Sequence, residues 1–380
     1  MQLAIRKTTL ISILYVFCFL FLINWQQKLF YTLTGFETSL TIFLTFGFVF
    51  FAILVNLNFL VDVFILGLVR GSAFSYICIS IIAILTISSL TVQNTPFFGG
   101  LVSFFFTISA CNMLKKITSI GSLLIPLFFY LGFIVLQLFQ NDFDPRYVFI
   151  NSQNWISFYG ILLFAPYAYK CFTNIQKVNL ISSILLGLLS IYSRSRSGII
   201  GATIVFLATF MINRNFLLGF LILLFMIPLS IYLVFVSDFD KYTDRFSSIS
   251  NFLLDGNGRE TILSGYLDSL NWYNYFVGID MSDIKTDLYI TSNLHSSYLN
   301  ASTGIGLFGV VLLCIIFTES LLFFLRHNAG IALIWLAVLL RIATDTGALF
   351  NFFDVAVFYP LYLRFCNPNY IQRKKGEEIS

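Results

Sequence analysis

Apolar runs follow one another along most of this chain, each near the ~20 residues that span a bilayer core, and one long polar stretch, Ser237 to Asn293, interrupts them. Of the 380 residues, 58% are hydrophobic and only 11% are charged. A soluble fold needs far more charge to cover its surface, so the expected class is an all-α integral membrane protein. The runs predict twelve transmembrane helices, at 8–25, 39–57, 71–92, 97–114, 119–139, 155–169, 178–192, 198–213, 216–236, 300–325, 329–345 and 350–366. The chain reads as one polytopic membrane domain over 1–380, with one long loop over 237–293 that contains short helices. Residues 59–69 are apolar but too few to span; they either extend the third helix or lie at the interface.

Charge tests the parity of this layout. With the N-terminus inside, thirteen of the 22 lysines and arginines fall in inner segments: Arg6, Lys7, Arg70, Lys115, Lys116, Lys170, Lys177, Arg214, Arg326, Arg364, Arg373, Lys374 and Lys375. Four fall in short outer loops: Lys28, Arg146, Arg194 and Arg196. This bias places both termini in the cytoplasm. A span at 59–69 would flip every later loop and break the rule. The first apolar run follows Arg6 and Lys7 with no small-residue cleavage site after it, and reads as a retained span. The net charge of +4 lies in short loops, where orientation explains it, so no nucleic-acid partner is expected. The six cysteines are scattered through apolar runs without metal or redox spacing, and are expected as free, buried thiols.

The parity puts the polar stretch outside. It holds nine acids against four bases (Lys241, Arg245, Arg259, Lys285), so it is not a generic positive surface. Asn257-Gly258 is a turn signal. After it, Ile262, Leu263, Tyr266, Leu267 and Leu270 recur at helical spacing and predict a short amphipathic helix from about Arg259.

Arg194 and Arg196 break the positive-inside bias in Ser193-Arg194-Ser195-Arg196-Ser197-Gly198, where a span begins at the outer face. Helix starts bind phosphate through unpaired N–H groups and the positive end of the dipole, and a planar guanidinium grips phosphate with two prongs. This tract is expected to bind an anion; the alternative is a pair of interfacial arginines touching lipid headgroups. Arg259 opens the predicted loop helix, where a cation is locally unfavourable. Glu260, Asp255 or an anionic ligand offsets it, and a surface salt bridge is an equal alternative. His295 precedes the tenth span; a helix start favours neutral imidazole, the form a general base needs, while a backbone-bonded histidine is the plainer reading. His327, in an inner turn, has only a structural reading. Arg341 and Asp345 share a helix face inside a span, either as a structural ion pair or facing a cavity. Asp62, Glu319, Asp354, Asp142 and Asp144 are weaker candidates, and Arg146 is an outer-loop base within reach of a substrate.

No Walker-type glycine loop, dinucleotide fingerprint or HExxH is present, and no metal-ligand cluster is visible, so neither a cofactor nor a metal is expected. Asp238-Phe239-Asp240 has the spacing of a nucleotide-sugar site but faces outward, where nucleotide sugars are not expected.

The ordered combination of an outward Ser195-Arg196-Ser197-Gly198 turn, an arginine-led loop helix from Arg259 to Leu270, Val277-Gly278, His295-Ser296-Ser297-Tyr298-Leu299 and the glycine-rich Thr303 to Gly309 resembles the O-antigen polymerase and O-antigen ligase superfamily. The match covers about residues 190 to 315. The family often has Asn after the histidine, where this chain has Ser296. The resemblance implies a metal-independent glycosyltransferase of the bacterial inner membrane that uses undecaprenyl-diphosphate-linked oligosaccharide at the periplasmic face. By position, Arg196 and Arg259 would hold the donor diphosphate and His295 would orient or deprotonate the acceptor hydroxyl; Arg146, Arg194 and Arg341 are further substrate-binding candidates. Membrane lipid and a chain-length regulator protein are the other expected partners. The polymerase is the first expectation. A ligase transferring glycan to lipid A-core is the rival within the superfamily, and a flippase for the same lipid-linked sugars is the rival of another class.

Overall fold

The computed structural model describes residues 2–27, 38–91, 97–140, 155–193, 196–214, 259–279, 297–344, 349 and 351–366. Among these residues the regular elements are all helical. They are α1 (Gln2–Gln27), α2 (Thr38–Val55), the broken helix α3 (Leu57–Val69), α4 (Ala73–Thr91), α5 (Phe97–Lys116), α6 (Leu124–Gln140), α7 (Trp155–Thr173), α8 (Leu180–Tyr192), α9 (Arg196–Asn213), α10 (Arg259–Ser269), α11 (Trp272–Val277), α12 (Ser297–His327), α13 (Ala329–Thr344) and α14 (Val355–Cys366). Each expected span has its helix here except 216–236, which lies outside the described residues together with most of the 237–293 loop.

Thr8–Trp25, Ile120–Gln137 and Ile305–His327 are long and apolar enough to cross a bilayer, and the bent pair Ser39–Val55 and Leu57–Val69 adds a fourth if it is one span. Ala73–Ser88, Leu180–Ile191, Ser197–Asn213, Ala329–Thr344 and Val355–Cys366 are apolar but shorter. The outward faces carry large apolar side chains such as Phe43, Leu54, Ile65, Leu90, Phe139 and Ile181. Contiguous exposed apolar surface of this kind is what hydrocarbon contact permits and water does not. The described residues therefore form a helical bundle of membrane character, with several helices shorter than the sequence suggests.

The segment around 59–69 is resolved by a bend. α3 departs from α2 at 61°, so the two helices form a bent pair and not one straight helix. Asn56 sits buried at the bend, where its Nδ2 donates to the Ala52 carbonyl at 2.8 Å and its Oδ1 accepts from Asn112 Nδ2 at 2.7 Å. Those bonds satisfy polar groups that hydrocarbon would otherwise leave unpaired. Leu57, Val61, Ile65 and Val69 are exposed along α3, as for a helix lying at the membrane interface.

The contact between α9 and α13 is the most extensive in the bundle. Small residues allow it: a Cβ on Gly330 would lie 2.8 Å from Ile212 Cγ1 and 3.0 Å from the Ala208 carbonyl. The helix ends sort by charge. Lys170 Nζ, largely buried at the end of α7, donates to the Lys115 carbonyl at the end of α5 (2.8 Å), and Lys115 Nζ reaches the Cys366 carbonyl at the end of α14 (3.5 Å). Arg364 of α14 pairs with Glu319 of α12 at 2.5 Å. Lys115, Lys170 and Arg364, all assigned to inner segments, thus meet at one end of the bundle. The cysteines are free; Cys18, Cys78, Cys111 and Cys171 are buried as expected, whereas Cys314 is exposed.

Candidate functional site

The opposite end of the bundle is organised by α9, α13 and α7. α9 opens with Arg196, Ser197 and Gly198, as the sequence suggests. α13 runs antiparallel to it and brings Arg341, in its last turn, to that opening. Arg341 is wholly buried. Its Nη1 donates to Ser197 Oγ and, at 3.4 Å, to Thr344 Oγ1. The Thr344 hydroxyl donates in turn to the Leu340 carbonyl at 3.1 Å. The guanidinium carbon stands 5.9 Å from the centre of the Phe158 ring, within cation–π range. Beneath it, Tyr130 of α6 donates from its hydroxyl toward the Trp155 and Ile156 carbonyls at 2.9 and 3.0 Å, tying α6 to the start of α7.

Room for the arginine comes from Gly201, one turn into α9. A Cβ there would sit 3.2 Å from Arg341 Cδ and 2.8 Å from Ile161 Cδ1. Ser197 and Gly201 are four apart and share the face that meets α13. A cation in the last turn of α13 suits that helix's dipole, but it also stands against the positive start of α9. The arrangement gathers positive potential, hydroxyls and helix-start N–H groups at one point, which is a setting for an anion.

The Ser-Arg-Ser-Gly turn and Arg341 are both substrate-binding candidates from the sequence, which shows no contact between them; the structure joins Ser197 to Arg341. Arg341 and Asp345 were expected on one face; Asp345 lies outside the described residues, and the described partners of Arg341 include Ser197, Thr344 and the Phe158 ring. Arg196 and Arg259 begin α9 and α10 as expected, with side chains outside the described set. Arg146, Arg194 and His295 lie outside the described residues. Among the weaker candidates, Glu319 pairs with Arg364 at the basic end, and Asp62 is exposed in the π-turn of α3. Asp354 is buried before α14, where Oδ1 accepts from the Leu349 N–H (2.8 Å) and Oδ2 from the Asn351 N–H (2.9 Å). Those bonds hold the turn that leads into α14. His327 has the structural role expected of it: Nδ1–H donates to the Phe323 carbonyl at 2.6 Å.

The loop helices contribute a part not read from sequence. In α10, Tyr266 is buried as the periodicity implies, whereas Leu267 is exposed. α11 is capped by Asn271, whose side chain accepts from the Tyr273 and Asn274 N–H groups at 3.0 and 2.8 Å. It docks on α12 where Gly306 adopts φ 58°, ψ −168°. A Cβ at Gly306 would lie 2.0 Å from the Phe276 carbonyl oxygen, so the kink is what admits α11. The Ile279 N–H then donates to the Thr303 carbonyl at 2.8 Å. Trp272, 81% exposed, and Tyr275 stand out from this element. No family model, curated protein or solved structure matches the chain at a significant level.

Proposed function

We propose that the chain is a membrane glycosyltransferase of the O-antigen polymerase type, acting on undecaprenyl-diphosphate-linked oligosaccharide at the outer face of the bacterial inner membrane. The observation that carries this reading is the buried Arg341 held against Ser197 at the opening of α9. Arg341 is a positioning residue: it fixes the helix start that presents Arg196 and the first backbone N–H groups of α9. A buried cation also projects its field over several ångströms in low dielectric. The basic end of the bundle faces the cytoplasm in this reading, as the positive-inside rule requires.

The chemistry divides between the two sides of a glycosidic carbon. The acceptor hydroxyl oxygen attacks the anomeric carbon of the donor sugar, the bond from that carbon to the diphosphate oxygen breaks, and the diphosphate leaves on its lipid with the electron pair. Arg196 and Arg259, assisted by Arg194 and Arg146, bind the diphosphate and stabilise its growing charge. His295 takes the proton of the acceptor hydroxyl. The apolar flanks of the bundle accommodate the lipid tails.

Purified protein in detergent, supplied only with undecaprenyl-diphosphate-linked repeat units, tests this directly. A ladder of lengthened lipid-linked glycan is the expected product. Absence of any glycan transfer in folded, monodisperse preparations, or transfer only when lipid A-core is the acceptor, would overturn the polymerase assignment.

A further inference from the structure

The basic end of the bundle holds a cavity of about 440 Å³ lined by Phe323, Arg326, His327, Arg364 and Phe365. It opens between the C-terminal ends of α12 and α14, at the far end of the bundle from Ser197 and Arg341. Arg326 is exposed and makes no ion pair with another described residue. Arg364 bonds Glu319 at 2.5 Å and lies 5.4 Å over the Phe365 ring. The His327 ring rests on Phe323, with centroids 4.6 Å apart.

Cations at helix C-termini complement the dipole, and this alone explains why arginines end α12 and α14. It does not explain an open cavity between them. Two guanidiniums against one carboxylate leave the pocket net positive, and its other walls are aromatic. Leu322, Leu325 and Arg326 are spaced i, i+3, i+4, so they share one face of α12. Leu322 and Leu325 are exposed on that face, so an outward apolar stripe runs along the helix and ends at a guanidinium. An acyl chain on the stripe would bring a headgroup phosphate to Arg326 at the mouth of the cavity. Basic pockets between spans on the cytoplasmic side recognise anionic headgroups in this way.

We propose that this pocket binds the phosphate group of an anionic membrane lipid, with Arg326 and Arg364 on the phosphate and the acyl chain along Leu322 and Leu325. Phosphate is the recognised chemistry, and the lipid is its source. The full-length protein in neutral detergent is titrated calorimetrically with short-chain phosphatidylglycerol, short-chain phosphatidylcholine and inorganic phosphate. Phosphatidylglycerol should bind saturably and phosphatidylcholine weakly. Arg326→Gln, an exposed change that leaves the Glu319–Arg364 pair intact, should weaken phosphatidylglycerol about fivefold, the worth of one surface arginine toward anionic lipid. Arg70→Gln, an exposed arginine at the end of α3, should leave it unchanged. Equal weakening by Arg70→Gln, unchanged binding in Arg326→Gln, or equal affinity for phosphatidylcholine would overturn the pocket. Displacement of phosphatidylglycerol by inorganic phosphate at the same concentration would overturn the lipid as the source.

Discussion

Arg341 and Ser197, 144 positions apart in the chain, are joined by a hydrogen bond from the guanidinium to the hydroxyl at the point where α9 begins. A charge buried this deeply is tolerated only where hydroxyls, ring faces and backbone satisfy it, and Ser197, Thr344 and Phe158 are three such partners.

The packing around this pair is tight enough to test by volume. Gly201→Val should drive a branched side chain into Arg341 and Ile161, at a cost of about 1–3 kcal/mol typical of overpacking. Ser197→Ala removes one hydroxyl from a buried cation and should cost about 1–3 kcal/mol. Thermal unfolding in detergent measures both, and a Gly201→Val protein as stable as wild type would show that the α9–α13 contact is looser than described.

The kink in α12 makes a local prediction. Gly306→Ala adds a Cβ where the Phe276 carbonyl stands and demands a backbone conformation open mainly to glycine, a strain of about 1–3 kcal/mol. The expected result is release of α11 from α12, without loss of the bundle. Limited proteolysis should cut near Trp272 to Ile279 faster in the variant, while helical content by circular dichroism stays close to wild type.

The proposed orientation rests on the charge bias of the sequence, and Lys115, Lys170 and Arg364 meet at one end of the bundle. Single cysteines at Ser247 and at Ser119 should label from opposite sides of the membrane with an impermeant thiol reagent. Ser119 is exposed close to Lys115 at the basic end and should label only from the cytoplasm. Labelling of both sites from one side would refute the topology.

The helices were legible because each apolar run carries its own signal. Of the thirteen cations read as inner, Lys115, Lys170 and Arg364 meet at one end of the bundle, a grouping that the local charge rule suggests. The rejection of 59–69 as a span rested on that same rule, but the 61° bend at Asn56 was not foreseeable, because it depends on a bond to Asn112 in another helix. Arg341 was recognisable as an unusual residue within a span. Its partner was not, since pairing between α9 and α13 is a tertiary fact; the nearest hint was Ser197 and Gly201 on one face. α11 went unread because six residues give too little periodicity, and in the glycine-rich start of α12, read as part of a family motif, Gly306 also serves as a docking notch for α11.

The central claim is that the α9 opening, set by Arg341 and Ser197, binds a diphosphate. Its most direct test is the affinity of purified protein for undecaprenyl diphosphate, measured on wild type, Arg341→Gln, Arg341→Lys and Arg70→Gln, each verified to retain wild-type helical content. Arg341→Gln removes the charged bond that holds Ser197 at the α9 start, worth about 1.5–3 kcal/mol, and with it the nearby positive field; if most of that is felt at the site, the variant is expected to bind at least roughly tenfold more weakly. Arg341→Lys should recover part of the loss, because lysine keeps the charge without the planar geometry, and Arg70→Gln should match wild type. Wild-type affinity in Arg341→Gln would contradict the claim and leave Arg341 as a structural cation of the bundle.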